Sequence, residues 1–126
     1  MNKKEIIRMI EKYKLDKSKF VVISGAALVL HEIENTTRDI DIWCDNDYYD
    51  YLLDNYDCKL ERINEFEKKV YLIDDVINFG ISFKPKEIEV IEGIQCASIK
   101  DVLELKKFLN RCKDKNVISK LEKHIK

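Results

Sequence analysis

The sequence contains few of the residues that mark linkers, disulfide frameworks or membrane segments. One proline and three glycines in 126 residues leave no flexible boundary, so we expect a single domain spanning residues 1–126. No apolar run is long enough for a membrane span or a signal-peptide core, and we therefore expect a cytoplasmic protein. The four cysteines lie far apart without a C-x-x-C pair, which argues against a zinc site and favours reduced thiols.

The sequence also has almost no excess of either charge. Lysine and arginine together number 23 and aspartate and glutamate 24, so the net charge is −1 at pH 7. A chain this balanced does not present nucleic acid with a basic surface over its whole extent, although a local basic patch is compatible with it. Hydrophobic residues make up 45% and charged residues 37%, which is typical of globular rather than disordered proteins.

The most informative pattern lies between residues 20 and 43. Residues 20–23 form an apolar run suited to a buried strand, and Ser24-Gly25-Ala26 ends it with small side chains that let a ligand approach the backbone. Residues 26–33 are rich in Ala and Leu and predict a short helix. Residues 38–43 then alternate charged with large apolar side chains, as a half-buried strand does.

Two aspartates in that last segment, Asp39 and Asp41, are expected to point to the same side because strand side chains alternate between faces. Neighbouring carboxylates repel each other and favour a bound cation, and hard oxygen ligands at this spacing suit Mg²⁺. Asp-x-Asp alone also occurs at solvent-facing strand ends; the upstream turn at Gly25, which offers backbone N–H groups to an anion, favours the metal. Arg38 either binds phosphate or pairs with Asp41 or Glu34. The combination is typical of proteins that handle nucleotides.

The order Ser-Gly-Ala-Ala-Leu, a short helix and then Arg-Asp-Ile-Asp resembles the DNA polymerase beta-like minimal nucleotidyltransferases. It is most similar to the bacterial and phage branch that includes aminoglycoside and lincosamide nucleotidyltransferases and abortive-infection toxins. The resemblance implies that Ser24 and Gly25 bind the triphosphate of an NTP, and that Asp39 and Asp41 hold one or two Mg²⁺ ions. The sequence departs from the family at the turn, which is usually Gly-Gly or Gly-Ser.

The remaining apolar spacing predicts alternating helices and short strands. Helices are predicted at 2–14 and 48–56 and in two segments beginning at 98 and 114, and strands at 58–63, 70–73, 76–83, 88–91 and 94–96. Asp74 and Asp75 are expected to form the tight turn between two of these strands. The mixture favours an α+β fold with a small mixed sheet, flanking helices and two closing C-terminal helices.

The C-terminal part of the chain extends the resemblance. Relatives in this branch carry Leu-x-Leu-Lys on a helix and Arg-x-Lys-Asp after it, and residues 103–106 and 111–114 match both patterns. The resemblance implies that Lys106 and Arg111 reach the phosphates of the nucleotide; a solvated helix face is the alternative. Asp114 is expected to cap the last helix rather than to act in catalysis.

One position of the family pattern carries an unusual residue. Active members have a third Asp or Glu on a neighbouring strand, which completes the metal site and accepts the proton of the attacking hydroxyl. The resemblance places Asn78 there. An Asn side chain can ligate Mg²⁺ through its carbonyl oxygen, but it brings no charge and is not a useful base. Asp74 and Asp75 are the alternatives for the third ligand.

These patterns predict a Mg²⁺-dependent nucleotidyltransferase that moves a nucleoside monophosphate from an NTP to an acceptor hydroxyl on a small molecule, RNA or protein. The alternative is a domain of the same fold that binds nucleotide or protein without turnover, such as one component of a toxin–antitoxin pair. Asn78 favours this alternative, whereas Gly25 and the Asp39/Asp41 pair oppose it. Because only two helices close the chain, we expect a second copy or a protein partner to help bind the acceptor. Nucleic acid enters the prediction only as an acceptor.

Overall fold

The computed structural model describes residues 1–81 and 84–125. Within them the chain forms five α-helices and seven β-strands, which confirms the predicted α+β class and the two C-terminal helices. In chain order the elements are α1 (Lys3–Lys12), β1 (Phe20–Ile23), α2 (Ser24–Leu30), β2 (Ile40–Cys44), α3 (Asn46–Asn55), β3 (Cys58–Ile63), β4 (Lys69–Ile73), β5 (Ile77–Gly80), β6 (Ile88–Ile91), β7 (Ile94–Ala97), α4 (Ile99–Leu109), a 3₁₀ turn (Cys112–Asp114) and α5 (Lys115–Ile125). The strand predicted at 76–83 is observed as β5, and positions 82 and 83 lie outside the described residues.

The seven strands form one mixed sheet in the order β3-β4-β5-β2-β1-β7-β6. β2 lies near the centre, antiparallel to β1 and parallel to β5, while β3 and β6 form the two edges. The register sets Asp41 opposite Ile23 on one side and opposite Asn78 on the other. The sheet therefore brings together residues that are far apart in the sequence.

The predicted alternation of β2 is present. Ile40, Ile42 and Cys44 are buried in the apolar core, and Asp41 and Trp43 between them are only partly buried. The core face receives helices α1, α2 and α3, whose buried residues join the same apolar cluster. Because strand side chains alternate between faces, the opposite face of β2 is left for polar groups.

Helix α2 ends at Leu30, three residues before the predicted end. Its last turn has the hydrogen bonds of a Schellman motif, from Glu32 N–H to Val29 O at 3.0 Å and from Ile33 N–H to Leu28 O at 2.9 Å. Glu32 takes the left-handed conformation of this motif, with φ of 62°. Glycine is the usual residue there, so a glutamate gave no signal that the helix would end.

Neither the length nor the apolar content of any helix within residues 1–81 and 84–125 is sufficient to cross a bilayer.

Candidate active site

A cleft of about 580 Å³ opens on the polar face of the sheet. It is bounded by the turn between β1 and α2, by β2 and β5, by the β3–β4 hairpin, and by α4 with the segment after it. The structure brings all the predicted site residues to this one cleft: Ser24, Gly25, Arg38, Asp39, Asp41, Asn78, Lys106 and Arg111.

The two aspartates lie at the start of the central strand. Asp41 is the second residue of β2, and Asp39 directly precedes the strand. The hydroxyl of Thr37 donates a hydrogen bond to the backbone carbonyl of Asp39 at 3.2 Å, which fixes the chain entering β2. Burial raises the pKa of the Asp41 carboxyl to about 6, against the opposing effect of a hydrogen bond from Asn78, and the charge of Asp39 contributes to the rise. A bound cation would relieve both the burial and the repulsion.

Asn78 lies directly beside Asp41 on the neighbouring strand. Its side-chain Nδ2 donates a hydrogen bond to Asp41 Oδ1 at 2.8 Å, and the residue is only 5% exposed. Among the side chains that the structure describes, Asn78 Oδ1 is the buried oxygen or nitrogen atom left without a hydrogen-bond partner. A buried polar atom in this state is costly, so a ligand that supplies a partner for it is favoured.

The alternatives for the third ligand lie elsewhere. Asp74 and Asp75 form the turn between β4 and β5, both with left-handed φ, at 52° and 57°, and neither lines the cleft. The hydroxyl of Tyr13, the residue that follows α1, donates a hydrogen bond to the Asp74 carboxylate. The structure thus places Asn78, and neither turn residue, beside the two aspartates.

The donor set of this corner suits a hard cation. Asp39 and Asp41 supply negative charge, and Asn78 supplies an amide oxygen that has no other partner. Within residues 1–81 and 84–125 no three Asp, Glu, His or Cys side chains gather into a metal-binding group. Mg²⁺ held here would therefore depend on two carboxylates, on the amide oxygen and on oxygens from water or phosphate.

The turn between β1 and α2 contains one residue with a strained φ and one closely packed glycine. Ser24 adopts a left-handed φ of 56°, which favours glycine. At Gly25 the requirement is space, because an added Cβ would lie 3.1 Å from Thr37 Oγ1. Gly25 therefore allows the segment before Asp39 to pack closely against the start of α2.

Two basic side chains on the opposite wall share one buried carboxylate. Lys106 Nζ lies 3.2 Å from Asp114 Oδ1, and Arg111 Nε lies 2.8 Å from Asp114 Oδ2. Burial by itself would raise the pKa of Asp114, but the hydrogen bond from Arg111 and the charge of Lys106 outweigh it and lower the pKa. Lys106 is buried, so it does not belong to a solvated helix face. Asp114 directly precedes α5, and its carboxylate joins Lys106 to Arg111.

Arg38 has a different environment from these two cations. It is exposed and lines the cleft beside the aspartates. Glu34, one of its expected partners, instead accepts from Lys120 Nζ of α5 at 3.4 Å. Arg38 is therefore placed to meet an anion that enters the cleft.

The β3–β4 hairpin forms a wall of this cleft that the sequence patterns did not predict. The hairpin contributes Glu61, Arg62, Asn64, Glu65 and Phe66. The pairing of β3 with β4 shifts register between Leu60 and Arg62, which is a β-bulge. The available signal was a pair of consecutive charged residues in an otherwise alternating segment, but that segment predicted only a strand at 58–63.

Aromatic side chains border the site at two places. Phe66 of the hairpin stacks on Phe108 of α4, with ring centres 5.9 Å apart and planes 8° from parallel. Trp43 lies on the same strand face as Asp41, and Lys84 Nζ lies 5.7 Å from the centre of its ring. The first contact joins the hairpin to α4 across the cleft.

A mixed α+β sheet with paired aspartates at the start of a central strand, facing basic residues from C-terminal helices, defines a nucleotidyltransferase-like domain. The sequence matches the family described as "Nucleotidyltransferase of unknown function (DUF6036)" over residues 3–123, and the chain belongs to that family. This match confirms the resemblance to nucleotidyltransferases at the level of the family.

Among solved structures, the chain is similar to JHP933 from Helicobacter pylori, with 21% sequence identity and a TM-score of 0.41. The similarity covers 70% of this chain and 47% of that one, so this chain spans about half the length of JHP933. No curated protein matches the sequence significantly.

Proposed function

We propose that this chain catalyses the Mg²⁺-dependent transfer of a nucleoside monophosphate from an NTP to an acceptor hydroxyl, with release of pyrophosphate. The observation that carries the proposal is the arrangement of charge in one cleft. Asp39 and Asp41 lie at one wall, while Lys106 and Arg111 lie at another. A triphosphate with its metal ion needs both a pair of carboxylates and a group of cations, and the family membership of the chain supports the same activity.

The proposed roles follow from the position of each residue. Asp39 and Asp41 hold the metal ion with help from the Asn78 amide oxygen, and the backbone at Ser24 and Gly25 contacts the β- and γ-phosphates. Bound Mg²⁺ neutralises phosphate charge and makes the α-phosphorus easier to attack. Those five residues line the cleft together.

The basic residues act on the leaving group in this proposal. Lys106 and Arg111, oriented by Asp114, offset the charge that develops on pyrophosphate, and Arg38 binds phosphate at the open side. Asp114 removes only one of the two positive charges, so the pair keeps a net positive charge toward the cleft. A second copy or a protein partner contributes to acceptor binding.

A second candidate function is supported by the state of Asn78. This residue stands where active relatives carry a third carboxylate, and it donates a hydrogen bond to Asp41 instead of adding charge. A domain with this site binds NTP without efficient turnover, as a component of a toxin–antitoxin pair related to the bacterial and phage branch would. Both candidates require nucleotide binding at Asp39 and Asp41, and they differ in pyrophosphate release.

The first experiment measures binding. We expect Mg²⁺ with an equimolar mixture of four NTPs to raise the melting temperature, because a ligand that binds only the folded state stabilises it. The double variant Asp39→Asn/Asp41→Asn should lose most of that shift. The matched control is Asp50→Asn/Asp54→Asn, which removes two exposed carboxylates of α3 outside the cleft and should keep the shift. An equal shift in the Asp39/Asp41 variant would show that the nucleotide binds elsewhere.

The second experiment separates the two candidates. Labelled NTPs are incubated with the wild-type chain and Mg²⁺, and the release of pyrophosphate is followed with hydroxyl compounds and lysate fractions as acceptors. Release that depends on Asp39 and Asp41 supports the transferase. Binding without release under all these conditions supports the domain that only binds.

A further inference from the structure

The β3–β4 hairpin places a carboxylate in the cleft that the family pattern does not include. The register shift between Leu60 and Arg62 makes Glu61 an extra residue in β3. Bulges of this kind bend a strand and redirect its side chains, and they are frequent next to active sites. Glu61 and Arg62 consequently both line the cleft, and Arg62 Nη1 donates a hydrogen bond to Glu61 Oε2 at 2.9 Å.

Glu61 faces the same space as the paired aspartates, although β3 is separated from β2 by two intervening strands. Burial is the main cause of the raised pKa of Asp41, and the negative charge of Glu61 contributes to it. The three carboxylates nevertheless do not form a metal-binding group. Strands β4 and β5 lie between Glu61 and the two aspartates, so an acceptor hydroxyl can enter between them.

The order of the strands sets the order in which the site residues lie across the cleft. Across the sheet the site residues follow the sequence Ser24 after β1, Asp41 in β2, Asn78 in β5 and Glu61 in β3. In phosphoryl transfer the attacking and leaving oxygens lie roughly in line through the phosphorus. With the leaving phosphates at Ser24 and the α-phosphate beside Asp41, the hydroxyl approaches from the side of β5 and β3.

On that side the side chain nearest to Asp41 cannot take up the proton. Asn78 has its Nδ2 committed as a donor to Asp41, and an amide is too weak a base near neutral pH. Glu61 lies beyond Asn78 in the direction from which the hydroxyl approaches. The bulge thus supplies a carboxylate from the hairpin where position 78 lacks one.

Building on the function proposed above, we propose that Glu61 is the general base that accepts the proton of the acceptor hydroxyl. The hydroxyl oxygen forms a bond to the α-phosphorus while its proton passes to a carboxylate oxygen of Glu61. The bond from the α-phosphorus to the oxygen that bridges to the β-phosphate breaks, and pyrophosphate leaves with that electron pair. Arg62 is a positioning residue that holds the Glu61 carboxylate through its hydrogen bond.

The test compares Glu61→Gln and Glu61→Ala with Glu67→Gln, a control in the same hairpin that is exposed and outside the cleft. Pyrophosphate release from four labelled NTPs with Mg²⁺ is measured with water and glycerol as the hydroxyl probes, and NTP binding is measured separately by calorimetry. We expect Glu61→Gln to slow release by about 10²–10⁴-fold while NTP affinity changes by less than about threefold. Added formate should restore part of the rate in Glu61→Ala, and Glu67→Gln should resemble the wild type.

The outcomes separate this inference from the function on which it rests. Equal release by the wild type and Glu61→Gln, with NTP bound by both, would overturn the role of Glu61 and leave the transferase intact. If Glu61→Ala is slow and formate does not restore its rate, Glu61 has a structural role, and its assignment as the general base would also be overturned. A wild-type chain that binds no NTP with Mg²⁺ would overturn the proposed function itself. A wild-type chain that binds NTP but releases no pyrophosphate would overturn both the proposed transferase activity and the role of Glu61 as its general base.

Discussion

Asn78 Nδ2 donates a hydrogen bond to Asp41 Oδ1 at 2.8 Å, between directly opposed positions of two parallel strands. The contact joins an uncharged residue to a carboxylate whose pKa burial raises to about 6. In the absence of a cation, this hydrogen bond stabilises a buried charge without adding another. Asn78 adds no negative charge beside Asp41, so stability and metal affinity should respond oppositely when a carboxylate is introduced here.

Replacing Asn78 with Asp tests whether stability and metal affinity change in opposite directions. The variant loses the donor to Asp41 and sets two carboxylates opposite each other, so we expect its free energy of unfolding without metal to fall by about 1–3 kcal/mol. Added Mg²⁺ should stabilise Asn78→Asp more than the wild type and should bind it more tightly. Urea denaturation with and without Mg²⁺ measures both effects. Asn78→Ala is the control, since it loses the hydrogen bond without adding charge and should gain no more stability from Mg²⁺ than the wild type does. A metal-free Asn78→Asp as stable as the wild type would contradict the prediction.

Replacing Asp41 with Asn should stabilise the metal-free protein in a manner that depends on pH. The pKa of Asp41 rises from 3.8 to about 6 on folding, mainly through burial. Below pH 3.8 the carboxyl is protonated in both states, whereas above pH 6 folding carries the full cost of burying the charge. We therefore expect Asp41→Asn to raise the free energy of unfolding by about 1–3 kcal/mol at pH 7 and by little near pH 4.

Urea denaturation of Asp41→Asn at pH values from 4 to 8 measures this effect, with the exposed residue Asp54 changed to Asn as a control. The same Asp41 variant should lose its stabilisation by Mg²⁺ and NTP. A gain in stability that is the same at every pH would show that the buried charge is not its cause.

Ser24 offers a test of backbone strain at the phosphate side of the cleft. Its left-handed φ of 56° costs an ordinary residue about 1–2 kcal/mol, whereas glycine adopts it freely. Glycine also gains freedom in the unfolded chain, so we expect Ser24→Gly to be more stable by a net ~0.5–1 kcal/mol. Ser24→Ala loses the hydroxyl but keeps the strained φ, and it should show no gain. Equal stability of the Gly and Ala variants would mean that φ at this position carries no cost.

Asp114 is predicted to stabilise both the C-terminal helices and the cleft. Asp114→Asn leaves Lys106 buried without a counter-charge, so we expect it to lower the free energy of unfolding by about 1–3 kcal/mol and to weaken NTP binding. Because the pKa of Asp114 is lowered on folding, its contribution is present above its ordinary pKa of 3.8 and is lost as the pH falls further. The variant and the wild type should therefore converge in stability below about pH 4.

The control for this prediction is Glu122→Gln, which removes an exposed ion pair with Lys107 between the same two helices. Exposed pairs of this kind contribute about 0–1 kcal/mol, so this variant should remain close to the wild type. Equal losses in Asp114→Asn and Glu122→Gln, measured by urea denaturation, would show that burial adds nothing to the Asp114 pair.

Local patterns in the sequence were sufficient to predict the central part of the fold. The alternation around Asp41 determines which side chains of β2 face the core, and a strand period of two residues is visible without any tertiary information. That the strand of Asn78 neighbours β2 also followed from the family resemblance. Helix α2 ended early because Glu32 adopts a conformation that sequence composition associates with glycine.

Features that depend on distant contacts could not be predicted in the same way. Asp114 pairs with Lys106, which is eight residues earlier on another helix, and local spacing suggested only a cap. Glu61 lines the cleft from a bulge in a strand that two others separate from β2, and neither the bulge nor the strand order is specified by one strand's own pattern. Local periodicity determines which face a residue occupies, whereas the opposite wall of a site is determined by packing between elements.

The intrinsic fluorescence of Trp43 can report on changes close to the paired aspartates. It is the single tryptophan of the sequence, it lies two residues from Asp41 on the same strand face, and a lysine ammonium group lies over its ring. Indole emission responds to nearby charge, so all of the protein's tryptophan fluorescence comes from a position next to the paired aspartates. Binding of the proposed metal and nucleotide should therefore change this emission, which a titration or a stopped-flow instrument can follow on the unlabelled chain.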